Sequence, residues 1–321
     1  MADARVAVIV CTRGRGGRVL DTVRSILTSS ISNFELYVVD QNDDRHATGL
    51  LEGAVDAPRL HGLSSPRWLS IGRNTAAAAT TAELLAFTDD DCTVTPGWLS
   101  ELTAPFASDP RIGIVFGSVR AAPHDREAGF IPSYQRREPF VARTVFAKHR
   151  VEGIGASMAV RRSVWIELHG FDELLGAGAR LRSAEETDFT IRALLAGHFV
   201  AETPDAAVIH YGFRSWDEGR AVIRGYLHGI GATLAKHVKR GRFTVLAVAA
   251  QLALRFTVAR PVVDLGPRSY RWTRLAGFTT GVLRGLATPV DRATGHFRPT
   301  RGRGPSPDDP RRVRASGSAA R

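Results

Sequence analysis

The sequence predicts an α/β fold, a mostly parallel sheet flanked by helices, and three observations carry that expectation. Short apolar runs alternate with stretches of helical spacing through the first two thirds of the chain. Three of the runs end on polar groups: Thr12 after residues 6–11, Asp40 after 34–39, and Asp89-Asp90-Asp91 after 82–88. In such sheets ligands bind outside the carboxyl ends of the strands, so the three polar clusters are expected along one edge.

The elements follow in order. Residues 5–11 read as a buried strand, 12–17 as a loop and 19–27 as a helix. A second strand spans 34–40 and a turn 41–44; a helix over 73–81 leads to a third strand at 84–87. Thr95 with Pro96 reads as the N-cap and first turn of the next helix. A further strand begins at 113–117, and 121–150, rich in Arg, Pro and His, reads as a long flexible loop. Residues 153–160 read as a glycine-bearing strand start, 161–168 as a short helix and 170–173 as a turn. Residues 183–188 open a helix over 189–196 capped by Gly197, and a late strand at 208–210 ends on His210.

Adjacent carboxylates at a strand end repel one another unless a cation relieves them. The triplet Asp89-Asp90-Asp91 therefore points to a divalent cation and, through it, to a diphosphate. Turn and cap chemistry is the plain alternative for any one of these acids. Two cysteines, Cys11 and Cys92, make no disulfide framework and suit a reducing compartment. The first apolar run is too short for a signal peptide, and no run of about 18 uncharged apolar residues is present, which leaves a cytoplasmic chain as the expectation.

Net charge is +11, unevenly spread. Residues 220–321 hold 20 Lys and Arg against 4 Asp and Glu, and the rest of the chain holds 23 against 28. An acidic body joined to a basic third predicts a polyanionic partner.

The ordered set of motifs resembles the family 2 glycosyltransferases, with their GT-A, Rossmann-like fold. The matching pieces are Val8 to Arg13, Leu36 to Asp40, Gly72-Arg73-Asn74, Phe87 to Asp91, Gly155 to Met158, Gly170 to Glu173, Glu185 to Asp188 and Pro204 to His210, which together cover roughly residues 5–212. The resemblance implies a nucleoside-diphosphate sugar donor and an inverting displacement. It assigns Asp40 to the base, Thr12 and Arg13 to the nucleoside, and Arg73 and Asn74 to base and phosphate. Asp89 and Asp90 are implied near ribose and diphosphate, Asp91 as a ligand of Mg²⁺ or Mn²⁺, and His210 as a group that completes the metal site. Glu185 falls with the donor-binding set, and Ser157 stands where the family often has Asn against the sugar. The family's Glu-Asp pair becomes Glu185-Glu186 here, so Glu186 is the implied base and Asp188 its rival. Acids in a first helical turn also serve the helix dipole without any catalytic role.

Two other readings stand beside this one. Gly14 to Gly17 after a strand faintly resembles the glycine-rich loop of sugar nucleotidyltransferases, without its proline. The basic third suits a polyanion; nucleic acid is disfavoured because no zinc ligands, recognition helix or interleaved aromatics occur. The apolar stretch 243–258, flanked by Lys236, Lys239, Arg240, Arg242 and Arg260, suits either a helical subdomain or the surface of an anionic membrane. The expected organisation is a GT-A catalytic domain over 1–214, a basic helical extension over 215–297, and a disordered tail over 298–321. The expected acceptor is a glycan or a lipid-linked hydroxyl, reached in the cytoplasm or at the inner face of the membrane.

Overall fold

The computed structural model describes residues 6–14, 16–43, 47, 49–51, 55, 58–257 and 270–299. Arg5, Arg15, Asp44, Val258, Arg260 and the tail from residue 300 lie outside the described residues, so the expectation of disorder there has no counterpart in the structure.

The strands are β1 (Val6–Thr12), β2 (Phe34–Asp40), β3 (Leu60–Ser64), β4 (Leu84–Asp89), β5 (Cys92–Val94), β6 (Ile112–Ala121), β7 (Gly129–Phe130), β8 (Phe140–Ala142), β9 (Met158–Arg161), β10 (Phe199–His210) and β11 (Arg214–Ser215). The main sheet has the order β3-β2-β1-β4-β9-β6-β10-β5, with β8 also on β10. β3, β2, β1, β4, β6 and β10 run one way; β9 enters antiparallel between β4 and β6, and β5 and β8 run antiparallel to β10. The sheet is mostly parallel, and β7 pairs with β11 as a separate ribbon.

Every residue of β1 is buried because both faces of the sheet are covered. Val6, Val8 and Val10 pack on α1 (Arg18–Leu27) through Val19, Val23 and Ile26, and their cluster extends to the helix at Trp98–Thr103. Ala7, Ile9 and Cys11 point the other way, into a cluster with Ala76 and Ala77 of α2 (Leu69–Ala79). That second cluster also takes in α3 (Glu185–Leu195), α4 (Trp216–Lys239) and α5 (Val245–Thr257). The last helix, α6 (Arg271–Ala287), lies along α4.

The register lines up the polar strand ends. Thr12 is opposite Asp40, and Cys11 is opposite Asp89. β10 ends on the same edge, with His210 opposite Cys92. Because β9 runs backwards, the chain just before it, at Gly155, also reaches that edge.

The expected segments are present with shifted bounds. The helix before β4 starts at Leu69 rather than 73, and the acid-bearing helix starts at Glu185, so Glu185, Glu186 and Asp188 are all in its first turn. The helix after the triplet starts at Trp98, after a short strand β5; Thr95 accepts from the Trp98 N–H through its backbone carbonyl, at 2.9 Å. The stretch 121–150, expected as a loop, holds β7, β8 and a 3-10 turn at Val145–Arg150.

Candidate active site

The loops after β1 and β2 are laced together. Asp40 is buried, and its Oδ1 accepts from the backbone N–H (2.9 Å) and side-chain amide (2.8 Å) of Asn42. Asn42 Oδ1 in turn accepts from the Gly14 N–H at 2.8 Å. Thr12 is buried and its carbonyl accepts from Gln41 N–H at 3.0 Å, while Arg13 N–H lies 3.4 Å from Asp90 Oδ2. Gln41, unremarked in the sequence, donates from Nε2 to Ser65 Oγ and to the carbonyls of Pro66 and Trp68, fixing the start of α2. Trp68 itself sits at φ 126°, a left-handed strain held at the edge of the site.

Asp91 and His210 meet across the strand ends, with Oδ1 and Nε2 3.2 Å apart and both side chains buried. His210 Nδ1 lies 2.8 Å from the Pro132 carbonyl. A proton on Nδ1 donates there, which would leave the Nε2 lone pair free for a metal ion, the usual support of a metal-bound histidine. Burial alone would lower the His210 pKa, but donation from a protonated Nε2 to Asp91 and the charge of Asp91 outweigh it and raise it. Cys92 completes a group whose ligand atoms lie within 4.8 Å of one another and which can hold a metal ion. Burial, then the charges of Asp89 and Asp91, hold the Cys92 thiol well above its usual pKa. Gly212 roofs the pair: a Cβ there would fall 2.6 Å from His210 Nε2 and 2.8 Å from Asp91 Oδ2. A carboxylate and an imidazole under a glycine that leaves them uncovered fit a hard divalent cation.

Arg73 is the hub of the acids. It is buried on α2, stacks over Phe87 and Phe171, and donates to Glu185 Oε1 (3.1 Å), the Gly155 carbonyl (3.1 Å) and Asp89 Oδ1 (3.4 Å). It therefore joins the aspartate triplet to the acid helix. Asn74 is turned elsewhere: its amide donates to the Phe171 carbonyl (2.9 Å) and its Oδ1 accepts from the Phe171 N–H (2.9 Å), pinning the turn at Gly170 to Glu173.

α3 begins after two strained residues, Arg182 (φ 77°) and Ala184 (φ 73°). Its three acids have separate fates. Glu185 is buried against Arg73; burial first, then the charge of Glu186 and a hydrogen bond to it, push its pKa up to about 8 despite Arg73. Glu186 is half-exposed. Asp188 is fully buried between two cations, Lys236 Nζ at 2.7 Å and Arg192 Nε at 2.8 Å, with His237 Nε2 at 3.2 Å. Burial pushes the Asp188 pKa upward, but Lys236 and Arg192 together with His237 hold it well below the carboxylate range. Lys236 also bridges to Asp172 Oδ2 at 2.6 Å, which accepts from the Phe297 N–H at 2.8 Å. Asp188 is thus the centre of a buried ionic cluster behind the helix.

Ser157 is likewise drawn into the interior. It is fully buried, accepts from Trp98 Nε1 at 3.0 Å and faces the Ala206 carbonyl. Its hydroxyl is not brought together with the acids at the edge. Tyr226 and Arg214, which the sequence did not single out, border them instead. Burial and then Arg214 act oppositely on Tyr226, and the charges of Glu186, Asp89 and Glu185 also reach it; its pKa rises to about 12.

The chain belongs to glycosyl transferase family 2: the family model matches residues 7–168, half of the sequence. The glucosyl-dolichyl phosphate glucuronosyltransferase of Haloferax volcanii is 26% identical over 196 residues, 59% of this chain and 63% of that protein, so the chain spans less than two thirds of that relative's length. The succinoglycan biosynthesis protein ExoM of Rhizobium meliloti is 26% identical over 86% of this chain and 91% of its own. Among solved structures, the mannosyltransferase PcManGT from Pyrobaculum calidifontis, in complex with GDP-Man and Mn2+, matches with a TM-score of 0.58 at 18% identity over 88% of this chain and 87% of that one. S. aureus TarS (residues 1–349) matches with a TM-score of 0.51 at 12% identity over 94% and 98%. At these identities the likeness to the solved structures is one of fold.

Proposed function

We propose that the chain is an inverting, divalent-metal-dependent glycosyltransferase that moves a sugar from a nucleoside-diphosphate sugar to a hydroxyl of a lipid-linked or polysaccharide acceptor, with Glu186 as general base. One observation carries the choice of base: Asp188 is enclosed by Lys236, Arg192 and His237, whereas Glu186, two residues earlier, is half-exposed beside the Arg73–Glu185–Asp89 network.

Asp40, Thr12 and Arg13 are assigned to the nucleoside, and Asp89 and Asp90 to ribose and diphosphate, at the edge where β1, β2 and β4 end. Asp91 and His210 would hold Mg²⁺ or Mn²⁺, which supplies positive charge for the departing diphosphate. Arg73 serves by position: it fixes Asp89 and Glu185 relative to each other. The Glu185 carboxyl, kept protonated by burial, hydrogen-bonds Glu186 and orients it. Glu186 accepts the acceptor's hydroxyl proton as the new O–C1 bond forms and the bond from C1 to the phosphate oxygen breaks, and the nucleoside diphosphate leaves with the electron pair. The names of the two relatives, one for a dolichyl phosphate substrate and one for succinoglycan, support an acceptor that is lipid-linked or polysaccharide. No helix among the described residues is long and apolar enough to cross a membrane, so access to a lipid acceptor would be peripheral.

The test is calorimetric titration of the full chain with UDP-, GDP- and dTDP-sugars, with Mn²⁺, with Mg²⁺ and with chelator, beside Asp91→Ala. Binding of one nucleotide that needs the metal and is lost in Asp91→Ala is the expected result. Equal binding in chelator would remove the metal from the proposal, and no binding of any nucleotide would remove the donor.

A further inference from the structure

The last helix, α6, has two unlike faces. Along one, Gly277, Gly281 and Gly285 lie against the backbone of Arg224, His228 and Ala232 on α4, where a Cβ would collide. The opposite face carries Trp272, Leu275, Leu283 and Leu286 in one stripe, each between 47% and 67% exposed. Phe243 and Leu246, at and before the first turn of α5, are 63% and 52% exposed. Lys239 Nζ donates to the carbonyls of Leu286 and Thr288, at 2.8 Å each, which brings the C-terminal end of α6 against the α4–α5 turn that leads to Phe243. A single exposed leucine needs no explanation, but a whole helix face of large apolar side chains does.

The charge around this face is predominantly positive. Residues 216–291 contain twelve Lys and Arg against four acids, Asp217, Glu218, Asp264 and Asp291. Arg220, Arg224, Lys239, Arg242, Arg271 and Arg284 are exposed. A second copy set face to face would press this positive surface against itself. An anionic bilayer takes up the apolar side chains and neutralises the arginines together. α6 is about 25 Å long and lacks the apolar length to cross a bilayer, so it would lie flat on one.

We infer that the outer face of α6, with Phe243 and Leu246, is a docking surface for an anionic lipid bilayer, Trp272 and the leucines entering the acyl boundary and the arginines meeting lipid phosphates. A lipid-linked acceptor gives this surface its purpose, but binding to lipid is measured apart from glycosyl transfer.

The experiment is flotation of the full chain with vesicles of phosphatidylcholine alone and with about one third phosphatidylglycerol. Flotation with the anionic vesicles only, reversed as salt rises from about 0.1 M to about 0.5 M, is expected. Trp272→Ser with Leu283→Ser should weaken that binding by about tenfold or more while donor binding stays unchanged. Brominated lipid should quench tryptophan fluorescence in the parent chain and much less in Trp272→Phe. Absence of flotation with anionic vesicles, or equal flotation of the double variant, overturns the inference. So does a dimer in sedimentation that the double variant dissolves, because the face is then a self-contact. Vesicle binding in a chain that binds no nucleotide sugar would leave the docking surface standing and remove the transferase reading of the site.

Discussion

Glu186 and Asp188 share one helical turn and differ in everything that matters to a base. A base must release its proton near working pH and reach the acceptor. Asp188 is buried, ion-paired and depressed in pKa, so a proton taken there would break its ion pairs with Lys236 and Arg192. Glu186→Gln is therefore expected to lower kcat by about 10²- to 10⁴-fold with an unchanged unfolding midpoint. Asp188→Asn is expected to cost about 3–5 kcal/mol of stability, because it leaves buried cations uncompensated, while the folded fraction keeps a measurable rate. Urea unfolding beside single-turnover kinetics separates the two; a normal midpoint with no turnover in Asp188→Asn would exchange their roles. Glu185 makes a pH prediction. Its folded pKa of about 8 lies above the ordinary carboxyl value of 4.5, so its contribution to stability is full below pH 4.5 and is lost as pH rises through about 8. Glu185→Gln should flatten that decline in urea midpoints measured between those limits, and an unchanged slope would place the proton elsewhere.

At the scale of elements, the acid helix α3 is held from two sides, by Arg73 of α2 and by Lys236 of α4. Lys236→Met keeps the volume and removes the charge, leaving Asp172 and Asp188 buried with one fewer cation. A loss of about 3–5 kcal/mol in urea unfolding is expected, and a neutral outcome would mean that the cluster relaxes with water. The helix pair α4–α6 depends on its glycine seam. Gly281→Leu would drive a side chain into the His228 carbonyl and should cost about 1–3 kcal/mol or more, whereas Thr279→Ala on the exposed side should leave the thermal midpoint nearly unchanged. These elements also mark what the sequence could disclose. β1, β2 and β4 are legible because buried parallel strands are continuous apolar runs with abrupt polar ends. β3 hides behind His61 and Gly62 on a half-covered edge, and β5 is three residues long. β10 begins at Phe199, nine residues before the start of its legible stretch at 208–210, because Glu202, Thr203, Pro204 and Asp205 interrupt the apolar pattern at an irregularity in the register. The reversal of β9 is a property of the whole sheet, and no local spacing encodes it.

At the scale of the molecule, the change of composition near residue 214 does not coincide with a change in packing. The acids of the site were legible because their spacing is local. The cations that fix them were not, since Lys236 lies 64 residues from Asp172 and the Phe297 N–H lies 125 residues from it. Lys236 and His237 sit in a stretch read as a basic helical extension, yet both are fully buried. A chain stopped at Phe213 would keep the main sheet and lose both, and it would also strip Leu234, Val245 and Val248 from the second apolar cluster. Uncovering that much apolar surface costs several kcal/mol, a large part of the stability of an ordinary domain. The shortened chain is expected to show no cooperative thermal transition by circular dichroism. A chain stopped at Arg298 keeps Phe297 on Asp172 and the Arg298–Asp291 pair, and should melt like the full protein. If the chain stopped at Phe213 melts cooperatively near the full-length midpoint, the cluster is dispensable and the body is an independent domain; if it does not, the catalytic helix is built from both sides of that boundary.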